Sequence, residues 1–183
     1  IVQAVRNEHN ANIELVALDR NTGTTFSRNI GLRKARGDKI IIMDSDAYAN
    51  PETITAMAAH LDQNLRCGMA VPRLTYPDGR FQISTDVFPT LYRKFQRMFF
   101  LKNMERETVV PAEGIHTVDY AISAFWMFPR KVLDKVGLLD EKIFYAPEDV
   151  DYCLRIWKAG FAIQYLPQYA LVHDAQELSR GFK

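Results

Sequence analysis

Two rhythms of apolar residues run along this chain. Unbroken apolar runs alternate with stripes spaced three and four residues apart, the first predicting buried strands and the second amphipathic helices. The organising run is Ile40-Ile41-Ile42-Met43, entered from Lys39 and stopped by Asp44-Ser45-Asp46. It predicts a strand inside a parallel sheet, with two carboxylates at the carboxyl end, where open α/β sheets bind ligands. Upstream, Val2 and Val5 suit the end of an amphipathic helix, and residues 13–18 predict a strand finishing at Asp19-Arg20. Asn21-Thr22-Gly23-Thr24-Thr25 is a turn into a helix whose stripe is Phe26, Ile30 and the Lys34-Ala35 step, with Gly37 as its closing residue.

Beyond Asp46, Asn50 is an N-cap and Pro51 the first helical residue. Ile54, Met57, Ala58, Leu61 and Leu65 then form one helical face. Residues 68–71 predict a short strand, and Tyr76-Pro77-Asp78-Gly79-Arg80-Phe81 a hairpin turn. In residues 90–102, Leu91, Phe95 and Phe99 share one helical face while Arg93, Lys94 and Arg97 group on another. Such a helix lies beside an anionic membrane or docks on a core with a basic outer face. Residues 103–117 predict a loop and residues 121–128 a strand. Pro129 opens a helix over residues 130–136 that Gly137 stops. A further helix begins near Glu148, carries Val150, Cys153, Leu154 and Trp157 on its apolar side, and closes at Gly160. Residues 161–166 and 169–172 predict two strands, the second ending at His173-Asp174. Strands and helices alternating in this way predict an α/β fold in a single domain of 183 residues.

Bulk properties remove several function classes. A net charge of +1 gives no global field favouring nucleic acid. No apolar run reaches about 18 residues, so no transmembrane span is expected. No signal peptide opens the chain, and Ile1 is read as other than the natural start. Cys67 and Cys153 lack CxxC spacing and read as buried free thiols in a reducing compartment rather than zinc or redox ligands. His9, His60 and His116 have no motif context and read as surface or locally hydrogen-bonded residues.

The candidate chemistry lies at element ends. Asp44 and Asp46 are either a polar strand end turning into a loop or a pair of acids inviting Mg²⁺ or Mn²⁺. Arg28 and Asn29 open a helix, where free N–H groups attract anions, so a phosphate near Gly23 and Arg28 competes with a solvent-facing arginine. Glu148, Asp149 and Asp151 crowd another helix start and complement its dipole, with Asp151 and Arg155 spaced to pair. Trp126 either packs in the core or stacks on a sugar, and Trp157 has core spacing.

The ordered motifs carry a resemblance over nearly the whole chain. Asn21-x-Gly23, Arg28-Asn29-x-Gly31-Leu32, Ala35-x-Gly37-Asp38 and Ile42-Met43-Asp44-Ser45-Asp46 resemble the donor half of a family 2 glycosyltransferase. Lys135-Val136-Gly137-Leu138-Leu139-Asp140-Glu141, Glu148-Asp149-Val150-Asp151 with Arg155, Ala159-Gly160-Phe161 and finally His173 resemble its acceptor half. The flavour is that of the bacterial rhamnosyltransferase-like branch that builds cell-surface polysaccharide.

The resemblance implies a GT-A fold, a mostly parallel mixed sheet flanked by helices. Residues 1–75 would form the donor-nucleotide half and 76–183 the acceptor half. It implies a nucleotide-sugar donor, a saccharide or lipid-linked saccharide acceptor, and Mn²⁺ or Mg²⁺. Asp46 and His173 would hold the metal. Asp44 would face the nucleoside ribose, with Asn21, Gly23 and Arg28 also on the donor. Asp149 would be the general base of an inverting displacement. Glu148, Asp151 and Trp126 would shape the acceptor site. The family normally opens with a strand, a helix and a second strand, which residues 1–11 do not supply; these are expected upstream. Their lack would leave a sheet edge prone to self-association. A cytoplasmic location is implied, peripheral at the inner face of the membrane through residues 91–102. The alternatives are a sugar-phosphate nucleotidyltransferase and a truncated non-catalytic module that binds glycan or nucleotide.

Overall fold

Strands β3 (Cys67–Thr75) and β9 (Ala162–His173) form the axis of the molecule. The computed structural model describes residues 13–88 and 114–175. The helices expected near Val2 and over residues 91–102 lie outside these. β3 and β9 run parallel from Cys67↔Ala162 to Thr75↔Val172, the longest ladder in the sheet. Beside β3 lies β8 (Phe125–Pro129), antiparallel, and beside β8 lies β1 (Lys39–Met43), also antiparallel. On the far side, β2 (Ala47–Tyr48) pairs antiparallel with β9. The hairpin strand β4 (Phe81–Gln82) adds to β3, and β6 (His116–Thr117) to β9. A separate small sheet joins β5 (Thr85–Asp86) to β7 (Tyr120–Ala121). The result is the expected α/β architecture, a mixed sheet flanked by helices.

Strand periodicity divides the core into two layers. One face carries Ile40, Ile42, Met69, Val71, Trp126 and Phe128, covered by helices α3 (Arg130–Val136) and α4 (Glu148–Lys158) and by Leu32 of α1 (Thr24–Lys34). The other carries Ala70, Leu74, Phe125, Met127, Leu166 and Leu171, covered by Met57 and Leu61 of α2 (Pro51–Gln63). Asn50 caps α2 by accepting from the Thr53 N–H at 2.7 Å, with Pro51 as its first residue, as expected. Gly137 and Gly160 take positive φ at the ends of α3 and α4, the left-handed closure that glycine allows without strain. The hairpin turn also forms, closed by Tyr76 N–H to Arg80 O and Gly79 N–H to Tyr76 O.

Several expectations are corrected. β1 is not buried on both faces: Ile40 and Ile42 are, but Ile41 and Met43 are 40% and 48% exposed. Among the described residues it pairs only with β8, and α2 packs mainly on β3, β8 and β9. Residues 13–18 form no strand, and Leu15 is exposed. Leu65 lies beyond α2 and is 72% exposed. Residues 121–128 break into β7 and β8, because Ile122 N–H turns to Ser84 O while Ala124 O takes the Asp44 N–H. The two strands expected over 161–172 fuse into β9, with a register shift opposite Pro72–Arg73, where proline supplies no N–H to the ladder. His116–Thr117, placed in a loop, is strand.

Helix α1 also faces inward differently. Its buried residues are Thr25, Asn29 and Leu32, not Phe26 and Ile30, and it ends at Lys34 with Ala35 as its cap, so Gly37 does not close it. Asn29 is fully buried. Its amide donates to Leu139 O and Glu141 Oε1, and its Oδ1 accepts from Leu139 N–H, each at 2.9 Å. This clasps α1 to the loop that leads into α4. Asn29→Ala leaves the buried N–H and C=O of Leu139 without these partners, and is expected to lower unfolding free energy by about 3 kcal/mol in urea titration.

Candidate active site

The ends of β1 and β9, the starts of α1 and α4, and the 122–124 turn converge on a cleft of about 900 Å³. Its walls include Asn21, Gly23, Arg28, Asp44, Glu148, Asp149 and His173. The polar groups collect there because apolar runs end there: β1 stops at Asp44, and β9 stops at His173.

Arg28 is the centre of the cleft. Its guanidinium donates to Asp44 Oδ1 at 2.6 Å, to Glu148 Oε1 at 3.2 Å and to Ser123 O at 3.2 Å. The solvent-facing alternative for Arg28 is therefore wrong; its side chain is 14% exposed. Glu148 is buried, and the Ser123 hydroxyl donates to its Oε1 at 3.0 Å. Its carboxylate thus holds Arg28 at the cleft wall.

Across this network, Asp44, Asp46 and His173 each offer a ligand atom, all within 4.8 Å of one another. β2 pairs with β9 at Ala47↔His173, which carries Asp46 up to the histidine. His173 Nε2 lies 3.4 Å from Asp46 Oδ1, and its Nδ1 lies 2.9 Å from Gln82 Oε1. Asp44, Glu148 and Asp149 gather around Arg28, and Asp46 adds a fourth carboxylate beside Asp44 and His173. That excess of negative charge, with two carboxylates and an imidazole in mutual reach, fits a divalent cation.

Asp149 stands at the start of α4, half-buried, with its Oδ1 accepting from Val150 N–H at 2.8 Å. Burial, and secondarily the neighbouring Glu148 charge, pushes its carboxyl above the ordinary range despite that hydrogen bond. A carboxylate held out of water at a cleft wall is a better proton acceptor than an exposed one.

Two of the expected site residues fall elsewhere. Trp126 is 0% exposed, stacks on Tyr152 at 5.7 Å between ring centres, and donates its indole N–H to Ala121 O. It cannot touch a sugar; the apolar strand on both sides drew it into the core. Asp151 lies off the cleft and pairs with Arg155, Nε to Oδ2 at 2.9 Å. Asn21 Oδ1 accepts from Gly23 N–H at 3.0 Å, shaping the turn before α1. Gly23 has φ +83°, and a Cβ there would stand 2.3 Å from Phe144 O. That carbonyl accepts the Thr24 N–H at 2.8 Å, and the Thr25 hydroxyl donates to Ile143 O at 2.6 Å, so the 143–144 loop takes part of the helix start expected to bind phosphate. Sequence reasoning missed Ser123, Gln82, and the exposed Phe144 and Tyr145 at the cleft mouth. Ser123 carried one signal, a hydroxyl inside an apolar run. His116 bonds locally, Nδ1 to Gly114 O, as expected; His60 bonds to nearby Asn64 but also to Gln164, 104 residues on, and His9 lies outside the described residues. Cys67 and Cys153 are buried thiols pushed up to about 11 and about 12 by burial.

Two outcomes follow from this geometry. Arg28→Met strands the buried Glu148 charge, and is expected to cost about 3 kcal/mol in urea titration. Adding Glu148→Gln removes that charge and recovers part of the loss. For Asp149, the folded carboxyl binds its proton more tightly than the unfolded one. Its contribution to stability is therefore fully present below the ordinary aspartate range and lost as pH rises through the raised folded value. Asp149→Asn is expected to melt higher than the parent at pH 7, with the difference closing as pH falls below about 4.

Comparison with known proteins matches this chain to a family. The model for "Glycosyl transferase family 2" matches residues 1–137. The dTDP-rhamnosyl transferase RfbF of Shigella flexneri is 28% identical over 166 residues, 88% of this chain and 52% of that protein. The N-acetylglucosaminyl-diphospho-decaprenol L-rhamnosyltransferase of Mycobacterium tuberculosis (strain ATCC 25618 / H37Rv) is 27% identical over 145 residues, 74% of this chain and 47% of that protein. The chain spans about half the length of these relatives. In fold it is similar to GalNAc-T7, solved with UDP, GalNAc and Mn²⁺, with a TM-score of 0.69 at 15% identity over 93% of this chain and 33% of the other. It is also similar to the mannosyltransferase PcManGT from Pyrobaculum calidifontis, solved with GDP-Man and Mn²⁺, with a TM-score of 0.60 at 18% identity over 96% of this chain and 44% of the other. The fold is GT-A, and the chain, matched by the family model over most of its length, belongs to glycosyl transferase family 2.

Proposed function

We propose that this chain is the catalytic domain of an inverting, divalent-metal-dependent glycosyltransferase. It moves a hexosyl or deoxyhexosyl group from a nucleotide-sugar donor to a glycan or lipid-linked acceptor in cell-surface polysaccharide synthesis. The observation that carries this reading is a cleft lined by Asp44, His173 and the raised Asp149 carboxyl, with Asp46 in mutual reach of Asp44 and His173. Residues 1–75 supply most of the donor wall, and residues 76–183 the acceptor wall and, through His173, part of the metal site. RfbF and the mycobacterial relative are rhamnosyltransferases by name, so dTDP-rhamnose is the first donor to assay.

Asp46 and His173 would hold Mn²⁺ or Mg²⁺, with Asp44 in reach as a third ligand or as the ribose contact. The bound cation would act as a Lewis acid toward the departing diphosphate. Two solved neighbours contain Mn²⁺ together with a nucleotide or nucleotide sugar, which supports that choice for them and makes Mn²⁺ the first metal to test here. Arg28 faces the same cleft and supplies a fixed positive charge on the donor side. Asp149 accepts the proton of the acceptor hydroxyl as its oxygen bonds to the anomeric carbon and the carbon–diphosphate bond breaks. With attack and departure on opposite faces, one displacement inverts the anomeric centre. Phe144 and Tyr145, exposed at the cleft mouth, offer apolar faces to a sugar ring.

Membrane contact through residues 91–102 and self-association belong to the same reading. Among the described residues no helix is long and apolar enough to cross a membrane.

The test is transfer from a nucleotide sugar with Mn²⁺, followed by NMR of the product and assay of the released nucleotide. Nucleoside diphosphate release and an inverted anomer are expected. Asp149→Asn is expected to lower kcat by about 10²–10⁴-fold, and Asp46→Asn to abolish the response to added metal. Pyrophosphate release would instead identify a nucleotidyltransferase. A retained anomer would remove the single displacement.

A further inference from the structure

Gln82 lies on β4, outside every motif that defines the donor and acceptor halves. Leu74, opposite Gln82 on β3, is in turn aligned with Leu171 on β9. His173 is two residues beyond Leu171, so strand alternation puts Gln82, Leu74, Leu171 and His173 on one face of the sheet. Gln82 and His173 are both buried, beside the apolar cluster that contains Leu74 and Leu171. A buried amide and a buried imidazole in such surroundings need partners. They find each other, with His173 Nδ1 2.9 Å from Gln82 Oε1.

This contact has a direction. A carbonyl oxygen can only accept, so Nδ1 carries the proton. In a neutral imidazole the other nitrogen, Nε2, then presents a lone pair, and it is Nε2 that faces Asp46 Oδ1 at 3.4 Å. In that neutral form the two electron-rich atoms attract only across a shared cation, either a metal ion or a proton that would make the ring an imidazolium paired with Asp46. The opposite tautomer would place an N–H where a ligand atom is needed.

We propose that Gln82 is a positioning residue for the metal site: it fixes the tautomer and ring plane of His173 so that Nε2 is a ready-made ligand. The inference rests on the reading of Asp46 and His173 as metal ligands. It ties the hairpin at residues 76–82 to cation affinity, although the candidate ligands, Asp44, Asp46 and His173, all lie outside it. The general physics is that of imidazole ligands whose second nitrogen donates to a fixed acceptor, where loss of the acceptor typically costs 10–100-fold in metal affinity.

The experiment measures Mn²⁺ binding to the whole chain by electron paramagnetic resonance. It is combined with ¹⁵N NMR of the His173 ring at a pH of about 8, where an ordinary histidine is neutral. Gln82→Met removes the acceptor at similar volume, Gln82→Glu keeps an acceptor, and Asp46→Asn reports on the metal site itself. The parent is expected to show the Nδ1–H tautomer. Gln82→Met is expected to bind Mn²⁺ about 10–100-fold more weakly and to lose that tautomer, while Gln82→Glu stays within about threefold of the parent. If Gln82→Met does not fold, the parent spectrum alone decides: an Nε2–H tautomer overturns the proposal, and an Nδ1–H tautomer coupled to the amide supports it. Unchanged Mn²⁺ affinity and tautomer in Gln82→Met, with binding lost in Asp46→Asn, would overturn the role of Gln82 and leave the metal site standing. Unchanged affinity in Asp46→Asn would overturn the metal reading itself.

Discussion

The guanidinium of Arg28 satisfies carboxylates that come from opposite parts of the chain. Asp44 ends β1 and Glu148 begins α4, and both would face like charges across the cleft without the cation between them. The fork geometry of arginine suits this bridge, since one terminal nitrogen serves Asp44 and Ser123 O while the other serves Glu148. The bridge requires α1 to sit at a defined depth. Asn29, the next residue, sets that depth by its hydrogen bonds to Leu139 and Glu141. Neighbouring side chains on one helix thus have different duties: Asn29 attaches the helix, and Arg28 joins the two walls of the site.

The sheet explains why the remaining acids arrive in the same place. β3 and β8 are buried on both faces and hold the strand ends in fixed order. β9 runs long enough to pair with β3 over its full length and still reach β2, so His173 comes to rest beside Asp46. Asp149 follows from α4, whose apolar side docks through Tyr152, Cys153 and Ile156. Its position at the helix start keeps it half-buried, and that burial makes it a stronger base at a cost in stability. The cleft therefore combines an acid-rich cluster with a histidine, a fixed arginine and a destabilised carboxylate on one sheet.

Much of this was legible in the sequence wherever chemistry terminates an apolar run. Asp44-Ser45-Asp46 after Ile40–Met43, Asp149 at a helix start and His173 at a strand end all carry that signature, and the structure brings them together. What escaped was decided by neighbours distant in sequence. Trp126 looked available to a sugar, but Tyr152 closes over it. Glu148 was expected in the acceptor site, but its pairing with Arg28, 120 residues away in sequence, was not foreseen. Ser123 and Gln82 hold their partners through single hydrogen bonds that no periodicity encodes. Phe26 and Ile30 suggested the wrong face of α1, because the buried face is organised around a polar residue, Asn29, whose partners lie 110 and 112 residues on. The apolar run of β1 overstated its burial, since Ile41 and Met43 find no cover among the described residues.

The central claim is that the convergence of Asp46 and His173 is a cation site at the heart of the cleft. Anomalous X-ray scattering from crystals soaked with Mn²⁺ and a nucleoside diphosphate tests it most directly. The expected result is a manganese peak bonded to the Asp46 carboxylate and His173 Nε2, with the diphosphate on its open side toward Arg28. A peak located elsewhere, or a nucleotide bound in the cleft with no manganese beside these residues, would contradict it.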